Sequence, residues 1–398
     1  MMRAIVIGQG YSGRLSIVRS VAEIGCQVIL IDIVSPAVFR GHYHPPIDSY
    51  SKYVTGCYPA PNHDDQYLIQ LLLEKCADEN EKRVIIPDSD FAAAAVDRNL
   101  NILEPHFYCP HIDHKPGLAT MWMDKLKQKE LAVSCGLNVA GYVSVDLTRD
   151  ILPQIKNVAY PSFIKPLISA DCGKKGIGRC NSQTELLQHT EQMRNGGGRQ
   201  ALIEEYKEIA SEYATLGFSD GRSVVIPGLL ELLKTGHGGH FGVAVQGRVF
   251  PIDGYESLVV KFKEFVSRIG FVGLFDIDFY QSGNEFFFGE LNLRFGGSGY
   301  AFTRKGANLP AMFVSYFQGE EYPEFQPITS DAVYFNERMA IDDWYNGYIS
   351  LSEYKEMRKG SDICFIEDDT DPKPCSAFQR MFRKMRVLKQ IRKWIHRA

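Results

Sequence analysis

The runs Phe275-Asp-Ile-Asp-Phe and Phe288-Gly-Glu-Leu-Asn-Leu-Arg-Phe-Gly-Gly place Asp278 on one strand and Glu290, Asn292 and Arg294 on the next. Side chains along a strand alternate with a period of two, so Glu290, Asn292 and Arg294 leave the same face. An acid, an amide and a guanidinium are thereby aimed at one point. Two carboxylates with an amide oxygen form an all-oxygen set suited to Mg²⁺, which keeps some of its water while bridging phosphates. The arginine beside them can neutralise a phosphoryl group in transfer. Gly296-Gly297-Ser298-Gly299 then removes side chains, so backbone N–H groups can approach an oxyanion closely.

Upstream, Phe163-Ile164-Lys165-Pro166 puts a lysine at a strand end, and the glycine-rich stretch from Ser169 to Gly178 follows it with two more cations. Fixed positive charge below and backbone donors above is what nucleotide phosphates require; an ordinary surface hairpin is the other reading of that stretch. The run Leu202-Ile-Glu-Glu-Tyr-Lys207, with Glu212 after it, is an apolar strand ending in acids. If an adenine sits there, Glu204 and the backbone near Tyr206 and Lys207 can serve the purine edge, and Glu212 a pair of ribose hydroxyls. His237-Gly-Gly-His240 admits a metal or a mobile loop that closes over phosphate, and with no third ligand nearby the loop is expected.

These signals occur in an order that resembles the ATP-grasp enzymes: Asp124-Lys125, Lys165 with its glycine flap, Glu204-Glu205-Tyr206-Lys207 with Glu212, then Asp278 with Glu290, Asn292 and Arg294. The resemblance spans about residues 1 to 318 and is nearest to the carbamoyl-phosphate-synthase-like carboxylate:amine ligases. It implies that Lys125 and Lys165 meet the nucleotide phosphates, that Glu204, Glu205, Tyr206 and Lys207 form the adenine hinge and that Glu212 is the ribose acid. It further implies Asp278, Glu290 and Asn292 as ligands of magnesium, or manganese in its place, Arg294 as the group stabilising the transferred phosphoryl, and Lys234 as a further phosphate cation. The hinge departs from D-alanine:D-alanine ligase by one additional residue before Glu212 and by Lys207 in place of an apolar residue. Ser298, Arg304 and Gly10 are the substrate-side candidates. The implied reaction is attack of a carboxylate on the γ-phosphate of ATP, giving ADP and an acyl phosphate that an amine or similar nucleophile then displaces.

The elements that must position these residues divide the chain. Strands Ala4 to Ile7, Val28 to Ile31 and Val84 to Ile86 alternate with helices over Arg14 to Ile24 and Gln66 to Ala77, which predicts a parallel sheet. Its first turn, Gly8-Gln9-Gly10-Tyr11-Ser12-Gly13, with Asp32 closing the second strand, satisfies a dinucleotide fingerprint. Trp122 to Gly136 reads as one helix, and Val143 to Val145 and Ser162 to Lys165 as strands. Leu202 to Tyr206, Tyr213 to Phe218, Val224 to Leu233, Phe241 to Val245, Phe275 to Tyr280 and Glu285 to Leu291 read as hairpin strands. The expected fold class is α/β and α+β: a Rossmann-like N-terminal parallel-sheet lobe over residues 1–117, then a two-lobed ATP-grasp fold with antiparallel sheets over 118–200 and 201–327, then a C-terminal extension over 328–398.

Forty-four Lys and Arg against 48 Asp and Glu in 398 residues leave a net charge of −4, which excludes a global basic field for nucleic acid. Nine cysteines form no Cys-x-x-Cys pair, so neither a disulfide framework nor a zinc site is indicated. No apolar run approaches the length of a bilayer-spanning helix, and a cytoplasmic protein acting on small carboxylates and amines, as a monomer or a homodimer, is expected. The tail is different. Arg380, Arg383, Lys384, Arg386, Lys389, Arg392, Lys393 and Arg397 flank an apolar stripe of Phe378, Met381, Phe382, Met385, Leu388, Ile391, Trp394 and Ile395. Residues 378–398 therefore suit an anionic membrane surface, with a cell-envelope or polysaccharide precursor as substrate, or a helix docked on the body. The rival functions are a nicotinamide-dependent oxidoreductase built on the glycine turn and Asp32, and a nucleotide-binding scaffold without turnover.

Overall fold

The computed structural model describes residues 3–9, 12–41, 43–168, 175–237, 243–319 and 326–395. Strand Arg3–Gly8 is buried almost throughout, as a strand covered on both faces must be. It lies at the middle of a parallel sheet between Gln27–Val34 and Arg83–Pro87, with Val54–Pro61 and Phe107–Tyr108 outside them. Alternation divides its side chains between two cores. Ile5 and Ile7 pack with Leu68, Leu72 and Val96 of helices Asp65–Cys76 and Asp90–Arg98. Ala4 and Val6 pack on the other side with Val18 of helix Ser12–Ala22 and with Phe302 and Phe313. That second core continues into Leu216 and Phe218, so the parallel sheet and the central sheet share it.

A small antiparallel sheet has the order Tyr142–Asp146, Gln200–Glu205, Ser162–Pro166, Gly178–Cys180. Helix Gln183–Asn195 covers it; Ser182 caps that helix by accepting from the Glu185 N–H, and Leu186 and Met193 enter the core with Val145, Ile164 and Ile203. Strand Gln200–Glu205 thus lies inside this sheet, and a division drawn at residue 200 falls at its start.

Among the described residues the central sheet has nine strands. Its main path runs Glu285–Asn292, Phe271–Ser282, Ser211–Asp220, Leu229–Thr235, Ala244–Phe250, Ala332–Phe335, Ile363–Cys364. The last two come from beyond residue 327, so the C-terminal segment completes the sheet that carries the acids. Strand His111–Ile112, leaving the parallel sheet, pairs with Phe271 and Val272 at the start of the acidic strand.

Two elements differ from the sequence expectation for local reasons. The helix expected over Trp122 to Gly136 is broken: Leu118–Met121 is a short turn of helix, and Asp124 caps Lys125–Ser134 by accepting from the N–H groups of Leu126 and Lys127. The strand expected over Val224 to Leu233 divides at Pro227-Gly228 into Val224–Val225 and Leu229–Thr235. A Cβ at Gly228 would lie 2.8 Å from both the Phe250 carbonyl oxygen and Ile328.

The C-terminal segment is tied back to the first helix. Glu337 accepts from the N–H groups of Phe365, Ile366 and Glu367, while Arg19 donates to the carbonyls of Phe365 and Ile366 at 2.9 Å each and to Asp371. Asp371 also accepts from the Lys52 N–H. The basic tail forms helix Pro372–Ile395. Phe378 is buried, Met381 and Met385 pack beside it, and the Phe382 ring meets Trp344 edge-on at 5.2 Å. Those four residues pack on the protein's own core, as the docked-helix alternative expects for the first half of the stripe. Val387 and Leu388 are 55% and 44% exposed. The side chains of Ile391, Trp394 and Ile395 lie outside the described residues. Among the described residues no helix is long and apolar enough to cross a membrane.

Candidate active site

The small sheet and the central sheet face each other across a cleft of about 780 Å³, within the range of small-molecule sites. On its floor, strand Phe271–Ser282 presents Asp276 and Asp278 two residues apart on one face. In register, Asp276 lies opposite Asn292, and Asp278 opposite Glu290. Asn292 donates to Asp278 Oδ2 at 3.2 Å. Burial pushes the Asp278 pKa well above the ordinary carboxylate range, with Asp276 and Glu290 adding repulsion. Burial likewise lifts Asp276 to about 6, against the pull of Arg294. Glu290 goes the other way: burial works against its charge, but Lys125, at 3.0 Å, and Lys165 outweigh it and hold the pKa at about 2.

Three acids so placed have surplus negative charge for the protein around them. Asp276 Oδ1 is buried without a hydrogen-bond partner. A Cβ at Gly296 would come within 2.5 Å of Asp276 Oδ2, so glycine is needed for the backbone to pass. The donor set, the orphaned oxygen and the raised pKa values fit a hard dication such as magnesium.

Cations surround this cluster. Arg294 Nε donates to Asp90 Oδ1 at 2.7 Å, and the guanidinium stands 3.7 Å from Asp276. Lys125 opens its helix and Lys129 follows one turn later on the same face. Lys129 Nζ and Lys165 Nζ both meet Glu204 Oε1, at 2.6 and 3.1 Å. Glu204 lines the cleft as expected, but its carboxylate is the shared counter-ion of two buried lysines. The Glu204 side chain lines the cleft while Ala201 and Ile203 enter the small core.

The rest of the hinge stays at the rim. Glu205 pairs with Lys207 at 2.8 Å, Lys207 also stands over the Phe287 ring, and Arg179 lies 4.3 Å over the Tyr206 ring. Glu212 faces the cleft with a buried oxygen, Oε2, that has no partner, and burial raises its pKa. An acceptor in want of a donor is what a ribose hydroxyl pair would satisfy. Ser298 lines the cleft as well.

Two expected residues are elsewhere. Lys234 follows a β-bulge: Leu232 pairs with Gly247 but Lys234 with Gln246, so the extra residue Leu233 turns Lys234 to the opposite face. Leu230 and Leu232 line the cleft, whereas Lys234 is exposed beside Glu353 of helix Leu351–Lys359. Arg304, at the end of helix Tyr300–Arg304, is exposed over the Tyr300 ring and does not line the cleft. His237 donates or accepts through Nδ1 with Asp343 at 2.9 Å, so that nitrogen is occupied. Gly10, His240 and the flap residues 169–174 lie outside the described residues.

The dinucleotide reading also loses its acid. Asp32 pairs with the buried Arg14 at 3.1 Å, and Arg14 pairs with buried Asp48 at 2.6 Å. Gly13 abuts Gly297, where a Cβ would lie 3.0 Å from its Cα. Gly13 thus permits close packing against the loop after Arg294.

Sequence reasoning passed over three residues of the site. Asp276 shares a face with Asp278 by strand period, and Lys129 shares one with Lys125 by helix period, so both carried a signal. Asp90 lies 204 residues from Arg294 and carried none.

No family model matches the chain. By sequence it is similar to N5-carboxyaminoimidazole ribonucleotide synthase of Staphylococcus aureus (strain MRSA252), 21% identical over 383 residues that cover 92% of this chain and 93% of that one. It is also similar to formate-dependent phosphoribosylglycinamide formyltransferase of Bacillus subtilis (strain 168), 24% identical over 303 residues, 73% and 70% of the two chains. Among solved structures, N5-carboxyaminoimidazole synthetase from Staphylococcus aureus complexed with ADP superposes with a TM-score of 0.61 at 18% identity, covering 83% of this chain and 81% of that one. L-amino acid ligase from Bacillus licheniformis does so with a TM-score of 0.61 at 16% identity, over 84% and 79%. The fold of this chain is the ATP-grasp fold.

Proposed function

We propose that this chain is an ATP- and magnesium-dependent, ADP-forming ligase that activates a carboxylate as an acyl phosphate for attack by an amine or similar nucleophile. The observation that carries the reading is the convergence, in one cleft, of Asp276, Asp278 and Glu290 with Lys125, Lys165 and Arg294. No protein nucleophile is required by such a reaction, and the cleft offers charge of both signs in fixed positions.

Asp276, Asp278, Glu290 and Asn292 would hold magnesium, or manganese in its place, which when bound supplies positive charge to phosphate oxygens. Lys125 and Lys165 are the phosphate cations, the rim from Glu205 to Lys207 the adenine side, and Glu212 the acceptor for ribose hydroxyls. Arg294 is held in place by Asp90 and stabilises charge on the phosphoryl group in transfer. The two facing sheets hold the reactants together and keep water from a hydrolysable intermediate. An L-amino acid ligase and a structure complexed with ADP among the similar proteins support this reading. The tail, whose first apolar residues Phe378, Met381, Phe382 and Met385 pack on the body, gives no reason to place the substrate on a lipid; the carboxylate and amine are defined by chemistry alone.

Phosphate and ADP release in a matrix of amino acids and sugar acids tests the proposal. Turnover is expected only when a carboxylate is present. Glu290→Gln removes one charge of the cluster and is expected to lower ADP formation on the order of 10²–10³-fold with the fold retained. Near-normal ADP release in that variant would remove the metal assignment.

A further inference from the structure

The segment that leaves the parallel sheet for the central sheet carries a second set of ligating side chains. Glu104 follows the helical turn Leu100–Leu103, His111 lies in strand His111–Ile112, and His114 in the turn after it. One donor atom from each lies within 4.8 Å of the others. His114 Nδ1 meets Glu104 Oε1 at 2.7 Å, and the two imidazoles stack with centroids 3.7 Å apart. Asp113 and His114 both adopt positive φ, 52° and 54°, and that turn brings His114 back beside His111 and Glu104. Lys82 donates to the Glu104 carbonyl at 2.8 Å and fixes the backbone there.

We propose that Glu104, His111 and His114 bind one divalent transition-metal ion, zinc or a close substitute, at a site separate from the magnesium cluster. Two imidazoles and a carboxylate are borderline donors that suit zinc, unlike the all-oxygen set in the cleft. Tetrahedral bonds of about 2.0–2.1 Å put ligand atoms roughly 3.4 Å apart. The His114–Glu104 pair, at 2.7 Å, must therefore open. The His114 side chain, 66% exposed, has room for that movement. Water would complete the coordination on that open side. Because Ile112 and His111 pair with Phe271 and Val272, an ion here would clip the exit from the parallel sheet to the strand that carries Asp276 and Asp278.

Zinc titration by calorimetry tests the site on the full chain, stripped with chelator and free of magnesium. Glu290→Gln, which damages the cleft cluster, is expected to retain one zinc equivalent. His114→Ala, at an exposed position, is expected to weaken that equivalent by at least ~10-fold, and His111→Gln to do the same. Cobalt loaded in place of zinc is expected to give visible absorption in the parent and in Glu290→Gln but not in His114→Ala. Zinc affinity unchanged in both histidine variants, or no zinc bound beyond what Glu290→Gln removes, would overturn the proposal whether or not the chain is a ligase.

Discussion

Asp276→Asn is expected to stabilise the ligand-free protein and abolish its turnover at the same time. The Asp276 carboxylate is buried, and burial lifts its pKa from an ordinary 3.8 to about 6, with Arg294 opposing the rise and Glu290 and Asp90 adding to it. A group that holds its proton more tightly in the folded chain than in the unfolded one weakens the fold once it ionises. The span from 3.8 to about 6 corresponds to about 3 kcal/mol. That penalty is present in full above the folded value, shrinks as the pH falls from about 6 towards 3.8, and is gone below it. An amide of the same shape avoids it. The opposing loss, a partner for Arg294, is small because Asp90 at 2.7 Å holds that guanidinium more closely than Asp276 at 3.7 Å. Thermal unfolding in chelator near neutral pH should therefore place the variant several degrees above the parent, with a smaller gap near pH 5. Magnesium with ATP should raise the melting temperature of the parent and leave the variant where it was. A variant that melts below the parent in chelator, or whose advantage is the same at both pH values, would refute the reasoning.

Lys165→Ala should weaken ATP binding by ~10- to 100-fold, the size of a lost charge-assisted contact, as read by calorimetry; unchanged affinity would remove Lys165 from the phosphate site. Lys234→Ala should leave both ATP affinity and turnover within about twofold of the parent, because the bulge turns that side chain away from the cleft; a large loss of turnover would mean that the strand re-registers when nucleotide binds. Phe382→Ala should cost ~1–3 kcal/mol, less than a fully buried aromatic because the ring is half-buried against Trp344 and Tyr354, seen as a lowered melting temperature. If deletion of residues 378–398 instead abolishes co-sedimentation with anionic liposomes while the melting temperature holds, the docked helix is not the resting role of the tail.

Much of the site was legible because strand period converts spacing into direction. Glu290, Asn292 and Arg294 could be aimed from sequence, and the same rule covered Asp276 had it been applied to the preceding strand. Lys165 was legible through its place at a strand end, whereas Lys125 was named only by the family resemblance. What was not legible came from events that leave no periodic trace. A single extra residue at Leu233 reversed the direction of Lys234. Glu204 sits where the hinge motif puts it, yet its partner Lys129 arrives from a helix whose packing only the fold decides. The parallel sheet was read from its alternation with helices, whereas the glycine turn misled in part, since the pairing of Asp32 with Arg14 depends on Asp48 arriving from a separate loop. The break before Lys125 had a signal in Asp124, a residue that begins helices well.

Arg19 belongs to the first helix, while the groups that receive its guanidinium come 346 to 352 residues later. On a ribosome adding roughly 5–20 residues per second, that interval lasts on the order of 20–70 s. Throughout it, a cation destined for the interior stays hydrated and the face around it stays open. A message cut short before codon 371 would yield a nascent layer able to align its strands yet unable to close, and so a client for chaperones and proteases.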